Sequence, residues 1–385
     1  NNQYWIIDRF GNGSFDAELT LSISEGFSIN DENNPRRIRL YRRNSNSDGG
    51  WSFVTRANSV SKAEGHASFL NISNTGQFML TRSEAADEVF VEDIAGNSLE
   101  INGINEYIDV GNDVSFDLGN VMTIEAWLKP QEQAGRQGIF SSRYANSSGS
   151  FQLEIGTGSG GTKRIVVSGV NTWVAQTGDN VYNIDNWTHI AYVRAGIGSG
   201  THKIYVNGVL QTLISDNPYD FVDNTAHKVL GSGTSGAQFY KGMADEIRIW
   251  NIARSEEQIR NDMYRTLTGY ETGLVSYYQF NEGSGTTTYD NVSLNNGMMV
   301  QMSGDEFRDS TAPIPFISVA NGNWLNESNW QSGQGFPVHP WSRVKIDSDI
   351  TLDLSKEVIQ MTVNEGKNLI INPGIDLIIS GEPEN

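Results

Sequence analysis

The sequence predicts an all-β protein, and three observations support this fold class. Forty glycines stand among the 385 residues. Short runs rich in β-branched and aromatic residues alternate with turn-forming stretches. Only residues 255–269 show the four-residue spacing of apolar side chains that an amphipathic helix needs. A chain of this length corresponds to two or three domains, and we predict the segments 1–86, 87–312 and 313–385.

The first segment, residues 1–86, is predicted to form a whole or partial β-sandwich. Its candidate strands are residues 4–10, 17–23, 36–43, 51–56, 67–72 and 78–82. The stretches between them, such as GNGS and NSNSDGG, consist of turn-forming residues. The third strand carries a cluster of arginines, namely Arg36, Arg37, Arg39, Arg42 and Arg43. We interpret this strand as a solvated edge strand whose charges prevent pairing with another chain. The alternative is that the arginines dock against an acidic neighbour.

Residues 242–283 are predicted to form a strand, a short helix and a second strand. Ser255 and Gln258 have the spacing of a capping box, with two glutamates in the first turn. The predicted apolar stripe comprises Ile259, Met263 and Leu267. Gly269 is the predicted end of the helix. We therefore predict that one helix in this stretch packs across a sheet.

The same stretch carries a family resemblance. DEIRIWNIARSEEQI followed by GLVSYYQFNEGSGTT resembles the C-terminal signature of laminin-G-like jelly rolls in the concanavalin A-like superfamily. LEINGINEYIDVG and MTIEAWLKP resemble the first core strands of this family, and NWTHIAYVR with THKIYVNGVLQ resembles its central hairpin. The resemblance covers residues 97–302 and implies that residues 87–312 form a two-sheet jelly-roll sandwich with one short helix. This fold carries many functions, so the resemblance names no ligand.

Residues 313–385 differ in character from the jelly roll. GNWLNESNWQSGQGFP resembles the opening of β-solenoid modules in large bacterial surface proteins. Short strands with Asn-Glu-Gly and Asn-Pro-Gly turns follow at nearly regular spacing, as in stacked repeats. Because the pattern runs to residue 385 without a cap, we expect a truncated solenoid and flanking domains of a longer chain. Such architectures resemble cargo of the type IX secretion route.

Charge and composition limit the classes of partner. Residues 87–312 hold 14 basic and 28 acidic residues, so this segment has a net charge of −14. The whole chain has a net charge of −19. This acidity favours solubility or an attraction for divalent cations, and it disfavours nucleic acid as a partner. No run of residues is long and apolar enough for membrane insertion. The chain has no cysteine, so no disulfide or thiol chemistry is available.

The search for catalytic motifs favours a protein that is not an enzyme. The five histidines show no metal-ligand spacing, and no Gly-x-Ser-x-Gly motif is present. Laminarinase-type relatives of this fold carry a Glu-x-Asp-x-x-Glu run, which this sequence lacks. GTGSGG at 156–161 precedes a strand instead of a helix, which indicates a hairpin turn instead of a nucleotide loop.

The family resemblance implies one candidate cofactor, a structural calcium ion. In many concanavalin A-like folds calcium ties the first strand to the last, and an Asp at the start of the last strand is a ligand. Asp245 matches that place, and Asn102 and Glu100 lie on the first strand, so these three are the candidate ligands. The alternative is that Asp245 caps the end of a strand. Ser232, Gly233 and Thr234 replace the acids of a pentraxin-type calcium site.

Aromatic and polar loop residues are the candidates for ligand binding. Sugars can stack on exposed rings while amides, Arg or Asp bind their hydroxyl groups. The candidate residues are Arg143, Tyr144, Asn146, Asn171 and Trp173. Trp173 follows a Gly-Val-Asn turn and is predicted to be the exposed ring. Trp127, Trp187 and Trp250 stand among apolar strand residues and are predicted to lie in the core.

These observations predict a non-enzymatic binding or adhesion region of a large secreted or cell-surface bacterial protein. Its ligand would be a glycan or a surface protein. Two alternatives stay open. The first is an accessory carbohydrate-binding region of an extracellular hydrolase. The second is a structural spacer in a giant adhesin.

Overall fold

The chain divides into two compact units, Asn1–Phe90 and Val91–Asn385. The computed structural model describes residues 4–7, 17–23, 26–27, 35, 38–43, 52–73, 75–82, 95–142, 150–157, 162–222, 226–233, 237–269, 271–293 and 295–381. The predicted segment boundaries after residues 86 and 312 stay predictions.

The first unit is a small β-sandwich, as predicted. Its strands are β1 (Tyr4–Ile7), β2 (Ala17–Ser22), β3 (Ile38–Arg43), β4 (Ser52–Arg56), β5 (Ser59–Ser61), β6 (His66–Ile72) and β7 (Gly76–Arg82). One sheet has the order β1-β7-β3-β4 and the other has the order β2-β6-β5. Side chains of both sheets, including Leu40 and Phe78 of the first and Leu21 and Phe69 of the second, share one core. Strand β5, which has three residues, was not predicted from the sequence.

The arginine-rich strand β3 is not an edge strand, and that interpretation was wrong. β3 pairs with β7 on one side and with β4 on the other. Arg39 is only 1% exposed. The pairing places Leu40 in the core, so the register that buries Leu40 also holds the neighbouring Arg39 in the middle of the sheet.

The second unit begins with the predicted jelly roll. Its strands are β8 (Asn97–Asn102), β9 (Tyr107–Gly111), β10 (Val121–Pro130), β11 (Gly135–Ser141), β12 (Phe151–Thr157), β13 (Lys163–Gly169), β14 (Thr172–Thr177), β15 (Thr188–Ala195), β16 (His202–Val206), β17 (Val209–Leu210), β18 (Leu213–Asp216), β19 (Lys228–Leu230), β20 (Lys241–Trp250), β21 (Leu274–Tyr278), β22 (Thr287–Thr288), β23 (Gly297–Val300) and β24 (Phe307–Asp309). A short 3-10 helix spans Val114–Phe116.

These strands form two antiparallel sheets. The eight-stranded sheet has the order β17-β16-β15-β10-β20-β8-β24, with β21 also paired to β20. The nine-stranded sheet has the order β18-β14-β13-β12-β11-β19-β9-β23-β22. Alternation along each strand sends one set of side chains into the shared core, such as Leu153 and Ile155 of β12. The other set, including Gln152 and Glu154, lies on the outer face of the nine-stranded sheet. β12 and β13 pair antiparallel on either side of residues 158–161, as the predicted hairpin requires.

The single α-helix of the described residues is α1 (Glu256–Asp262), and its predicted capping box is present. The Gln258 N–H donates to Ser255 Oγ at 3.1 Å, and the Ser255 N–H donates to Gln258 Oε1 at 2.8 Å. The helix ends at Asp262 and not at Gly269, so the predicted length was wrong. The Arg248 guanidinium binds the carbonyls of Asp262 at 2.9 Å and Arg265 at 2.5 Å, which satisfies main-chain acceptors where the helix ends.

The C-terminal part of the second unit is a parallel β-solenoid. Its strands are β25 (Phe316–Ile317), β26 (Gly322–Asn323), β27 (Arg343–Ile346), β28 (Ile350–Leu352), β29 (Lys356–Val358), β30 (Gln360–Val363), β31 (Leu369–Ile371) and β32 (Leu377–Ile379). They stack in parallel as β25-β27-β30, β26-β28-β31 and β29-β32, so successive coils build three sheets. A 3-10 helix at Glu327–Asn329 follows β26.

The solenoid packs on the jelly roll through tryptophans. Trp324 and Trp330 of the GNWLNESNW motif share a core cluster with Trp127 and Trp187 of the jelly roll. The Trp187 indole donates to Thr311 Oγ1 at 2.9 Å, and its main-chain N–H donates to the Gly333 carbonyl at 3.0 Å. The start of the solenoid therefore shares buried apolar surface with the sandwich.

Candidate functional site

Trp173 is the exposed aromatic residue that the sequence analysis predicted. It is 44% exposed and lies in β14, opposite Ser168 of β13. A two-residue turn joins these strands, and Asn171 in that turn has φ of 57°, a conformation that asparagine tolerates better than most residues. The Trp173 carbonyl accepts a hydrogen bond from Asn217 Nδ2 at 2.7 Å. The turn and this bond hold the ring on the outer face of the nine-stranded sheet.

Arg136 of β11 packs against this ring. Its guanidinium carbon lies 4.8 Å from the centre of the Trp173 ring, a distance typical of a cation–π contact. The Arg136 Nη1 atom also donates to Glu154 Oε2 at 2.9 Å. The Arg136 side chain is 33% exposed, whereas Glu154 is fully buried. One buried carboxylate therefore holds a half-exposed guanidinium against an exposed indole.

A polar network below the Trp173–Arg136 pair fixes Glu154. Ser168 Oγ donates to Glu154 Oε2 at 3.1 Å, and Gln152 Nε2 donates to Glu154 Oε1. Gln238 reaches the network from the segment before β20. In the amide orientation that satisfies both of its polar atoms, Gln238 donates to Glu154 Oε1 at 3.0 Å and accepts from Arg136 Nη2 at 2.9 Å. These bonds restrict the Arg136 side chain before any ligand arrives.

The other predicted ligand-binding residues fall into two groups. Asn171 is exposed in the turn two residues before Trp173, so it stands at the same end of the hairpin. Arg143, Tyr144 and Asn146 lie outside the described residues, so their role stays a prediction. Trp127, Trp187 and Trp250 are buried, as predicted.

The three candidate calcium ligands engage separate partners. Asp245 lies in the interior of β20, which begins at Lys241, so its predicted place at the start of a strand was wrong. It is buried, and its carboxylate accepts from Ser310 Oγ at 2.6 Å and from the Glu246 N–H at 2.7 Å. Burial, together with the neighbouring charge of Glu246, raises the pKa of Asp245 well above its usual value.

Glu100 and Asn102 lie on β8, which pairs with β20 as expected for the first and last long strands. The Glu100 carboxylate pairs with Arg308 at 2.9 Å. Asn102 Oδ1 accepts from the Ile104 N–H at 2.7 Å and stabilises the turn after β8. As arranged, the three side chains engage separate partners and do not converge on one point. Within the described part of the chain, no three histidine or acidic side chains form a group that could hold a metal. Calcium binding itself stays a prediction.

The outer face of the eight-stranded sheet is covered by α1 and by a buried charge cluster. The cluster consists of Glu125, His189, Glu246, Arg248 and Arg254. Arg254 Nη1 donates to Glu125 Oε1 at 2.7 Å, and Arg248 Nη2 donates to Glu246 Oε2 at 2.7 Å. Arg254 also pairs with Asp262 at the end of α1. The cluster therefore ties the helix to the sheet and leaves this part of the face closed to ligands.

Electrostatics support a structural role for this cluster. Burial by itself would raise the pKa of Glu125, but Arg254, His189 and Arg248 together lower it to about 2. Burial lowers the pKa of His189, against the opposing effect of Glu125. At neutral pH the Glu125 carboxylate is thus ionised and surrounded by arginines, with His189 in its neutral form.

Four residues of this network were not predicted from the sequence, namely Arg136, Gln152, Glu154 and Gln238. A partial signal for two of them was present, because Gln152 and Glu154 alternate with apolar Leu153 and Ile155 along one strand. No sequence spacing relates Arg136 to Glu154, or Gln238 to either of them. Their contact depends on how β11, β12 and the segment before β20 pack.

The two packed antiparallel sheets define the class of this protein region as a jelly-roll sandwich. Residues 102–260 match the family model described as the concanavalin A-like lectin/glucanases superfamily. This match confirms the resemblance for that part of the chain. No curated protein matches the chain.

The chain is similar to several solved structures. A candidate carbohydrate binding protein from Bacteroides ovatus ATCC 8483 is 18% identical; the alignment covers 78% of this chain and 94% of that chain, with a TM-score of 0.46. A heptameric SAP-like pentraxin from Limulus polyphemus is 14% identical, with 43% and 81% covered and a TM-score of 0.34. The CBM40 of the Ruminococcus gnavus IT-sialidase, bound to α2,3 sialyllactose, is 15% identical, with 43% and 96% covered and a TM-score of 0.33.

The described residues include no helix of the length and apolarity that a membrane span requires.

Proposed function

We propose that this chain binds glycans without hydrolysing them, through the outer face of the nine-stranded sheet. The observation that carries the proposal is the Trp173–Arg136 pair. The guanidinium lies over the indole, and Trp173 as a whole residue is still 44% exposed. An exposed indole offers a flat apolar surface to the C–H face of a pyranose, while guanidinium and amide groups donate to its hydroxyls.

Preorganisation strengthens this proposal. Arg136 is held by Glu154, and Glu154 is held by Ser168 and Gln152, so binding need not restrict a freely rotating side chain. A network of this kind costs burial of a charge, which is offset by the hydrogen bonds that it makes. The opposite sheet offers less open surface, because α1 and the cluster around Glu125 cover much of its outer face.

The proposal includes the setting of a bacterial secreted or cell-surface protein, where polysaccharides are the available ligands. It also includes the absence of catalysis, which is supported by the lack of a Glu-x-Asp-x-x-Glu run in the sequence. Catalysis is tested by incubating the chain with β-glucans, agars and alginates and measuring reducing ends. Turnover that one carboxylate substitution abolishes would contradict this part of the proposal.

The binding proposal is tested with an array of bacterial, algal and plant oligosaccharides, followed by calorimetry on each positive ligand. We expect Trp173→Ala to weaken binding by about tenfold or more, equivalent to about 1.4 kcal/mol. Val363→Ala is the matched control, because Val363 is 43% exposed but lies in the solenoid. Equal affinities of wild type and Trp173→Ala, or no binding to any array member, would refute the proposal.

A further inference from the structure

We infer that the surface around Trp173 selects neutral sugars over sugars that carry a carboxylate or sulfate. The inference rests on the proposed glycan binding and specifies its ligand class. It follows from the way that the described residues pair every outer-face cation near Trp173 with an acid.

The four strands that carry the candidate site are β11, β12, β13 and β14. Their cationic residues are Arg136, Lys163 and Arg164. Arg136 pairs with Glu154 at 2.9 Å, and Arg164 pairs with Asp179 in the turn after β14. Each arginine thus faces an acidic partner, and an anionic ligand would have to compete with a carboxylate already in place.

Lys163 does not add an unpaired positive charge to the outer face of the nine-stranded sheet. It lies at the start of β13 and has the same strand parity as Ile165 and Val167, which point into the core. Arg164 has the opposite parity and shares the outer face with Arg136, on either side of Gly156 of β12. The outer-face cations of these four strands are therefore Arg136 and Arg164.

The surrounding charge acts in the same direction. Residues 87–312 have a net charge of −14, so an anionic glycan approaches against repulsion. Nearby donors on the same face include the amides of Gln176 and Gln238, which are partly exposed and uncharged. Amides and a guanidinium that is already paired match hydroxyl groups better than a second carboxylate.

The test uses three matched pairs of probes that differ mainly in charge. They are N-acetyllactosamine and its 3-sialylated form, methyl-esterified and free hexagalacturonate, and agarohexaose and its sulfated counterpart. Calorimetry at low salt should show binding of at least one neutral member, with its anionic counterpart about tenfold weaker or more. Anionic members that bind as well as, or better than, their neutral counterparts would overturn the inference.

Asp179→Asn probes the cause of the selectivity. In this variant Arg164 no longer faces the Asp179 carboxylate, so its positive charge is not offset. The ratio of affinities for the neutral and the anionic probe should therefore fall by about threefold, as expected for one exposed charge pair. Glu257→Gln on α1 is the control, because it changes the net charge equally but lies on the other sheet's face. A preference that Asp179→Asn and Glu257→Gln alter equally would contradict a local origin.

These outcomes separate the two proposals. If all anionic probes bind and Trp173→Ala abolishes their binding, the glycan site stands and the neutral selectivity is refuted. If no probe binds although members of the oligosaccharide array do, the neutral selectivity is refuted and the glycan site stands. If no array member binds either, the proposed function fails, and the selectivity fails with it.

Discussion

Arg254 donates to the buried carboxylate of Glu125 at 2.7 Å, across 129 residues of sequence. Glu125 lies in the middle of β10, and Arg254 lies in the link between β20 and α1. The contact joins the centre of the eight-stranded sheet to the helix that covers it. Both partners are buried, so removing one of them would leave the other as an uncompensated buried charge and would destabilise the fold.

We expect Glu125→Ala to lower the free energy of unfolding by about 3–5 kcal/mol, because the variant removes the buried carboxylate to which Arg254 donates and which offsets the buried charges of Arg254 and Arg248. Chemical denaturation of the wild type and the variant measures the difference. Glu257→Ala, at an exposed position of α1, should change stability by less than about 0.5 kcal/mol. A Glu125→Ala variant as stable as the Glu257→Ala variant would show that the cluster does not hold the helix.

Glu282 gives a prediction on pH dependence. Burial raises its pKa from 4.5 to about 7, although Oε1 accepts from the Tyr289 N–H at 2.7 Å. Between pH 4.5 and about pH 7 the folded state binds more protons than the unfolded state. The contribution of Glu282 to the free energy of unfolding is therefore present at low pH and is lost as the pH rises through about 7. We expect Glu282→Gln to be nearly neutral at pH 4 and more stable than wild type at pH 8, by about 1–3 kcal/mol.

The measurement for Glu282 is a series of melting temperatures from pH 4 to pH 8. Glu357→Gln, an exposed position in the solenoid, is the control and should follow the wild type throughout. A difference between Glu282→Gln and wild type that is constant across this range would exclude titration of Glu282 as the cause.

The calcium prediction is tested at Asp245. An ion that binds only the folded state adds about 2.7 kcal/mol at 100 times its Kd, so calcium would raise the melting temperature by a few degrees over chelator. Asp245→Ala should abolish that increment. It should also lower the melting temperature in chelator, because the Ser310 hydroxyl and the Glu246 N–H lose their acceptor. A melting temperature that calcium and chelator leave unchanged would refute the predicted ion.

Hydrogen exchange tests the last described coil of the solenoid. Strands β27 and β28 pair on both sides, whereas β30 and β31 each pair on one side within the described residues. Ile370, Ile371, Ile378 and Ile379 are all exposed on this coil. We expect amides of 360–379 to exchange faster than those of 343–352, because partly covered strands open locally. Equal protection of the two coils would contradict this expectation.

Local features of this chain were predictable from sequence because their partners lie a few residues apart. The capping box joins Ser255 to Gln258, so three residues of spacing suffice to specify it. The exposure of Trp173 follows from the tight turn that directly precedes its strand. The parallel solenoid was also predictable, because its turns repeat along the chain.

Features that depend on distant pairing were not predictable. The interpretation of β3 as an edge strand was wrong. The order of strands in a sheet is set by packing between sheets, and the sequence of β3 alone does not specify that order. Asp245 was predicted to start a strand, but it lies inside β20, and Ser310 reaches its carboxylate from 65 residues away.

The sequence by itself determined the all-β class, the position of the one helix, the solenoid repeat and the exposed indole of Trp173. Each of these follows from short-range periodicity or from turn chemistry. Only the tertiary structure decided that Arg136 lies against Trp173 and that Glu154 and Gln238 hold it there. The physical reason is that a buried carboxylate is stable only beside donors that converge on it, and those donors come from separate strands and a distant loop.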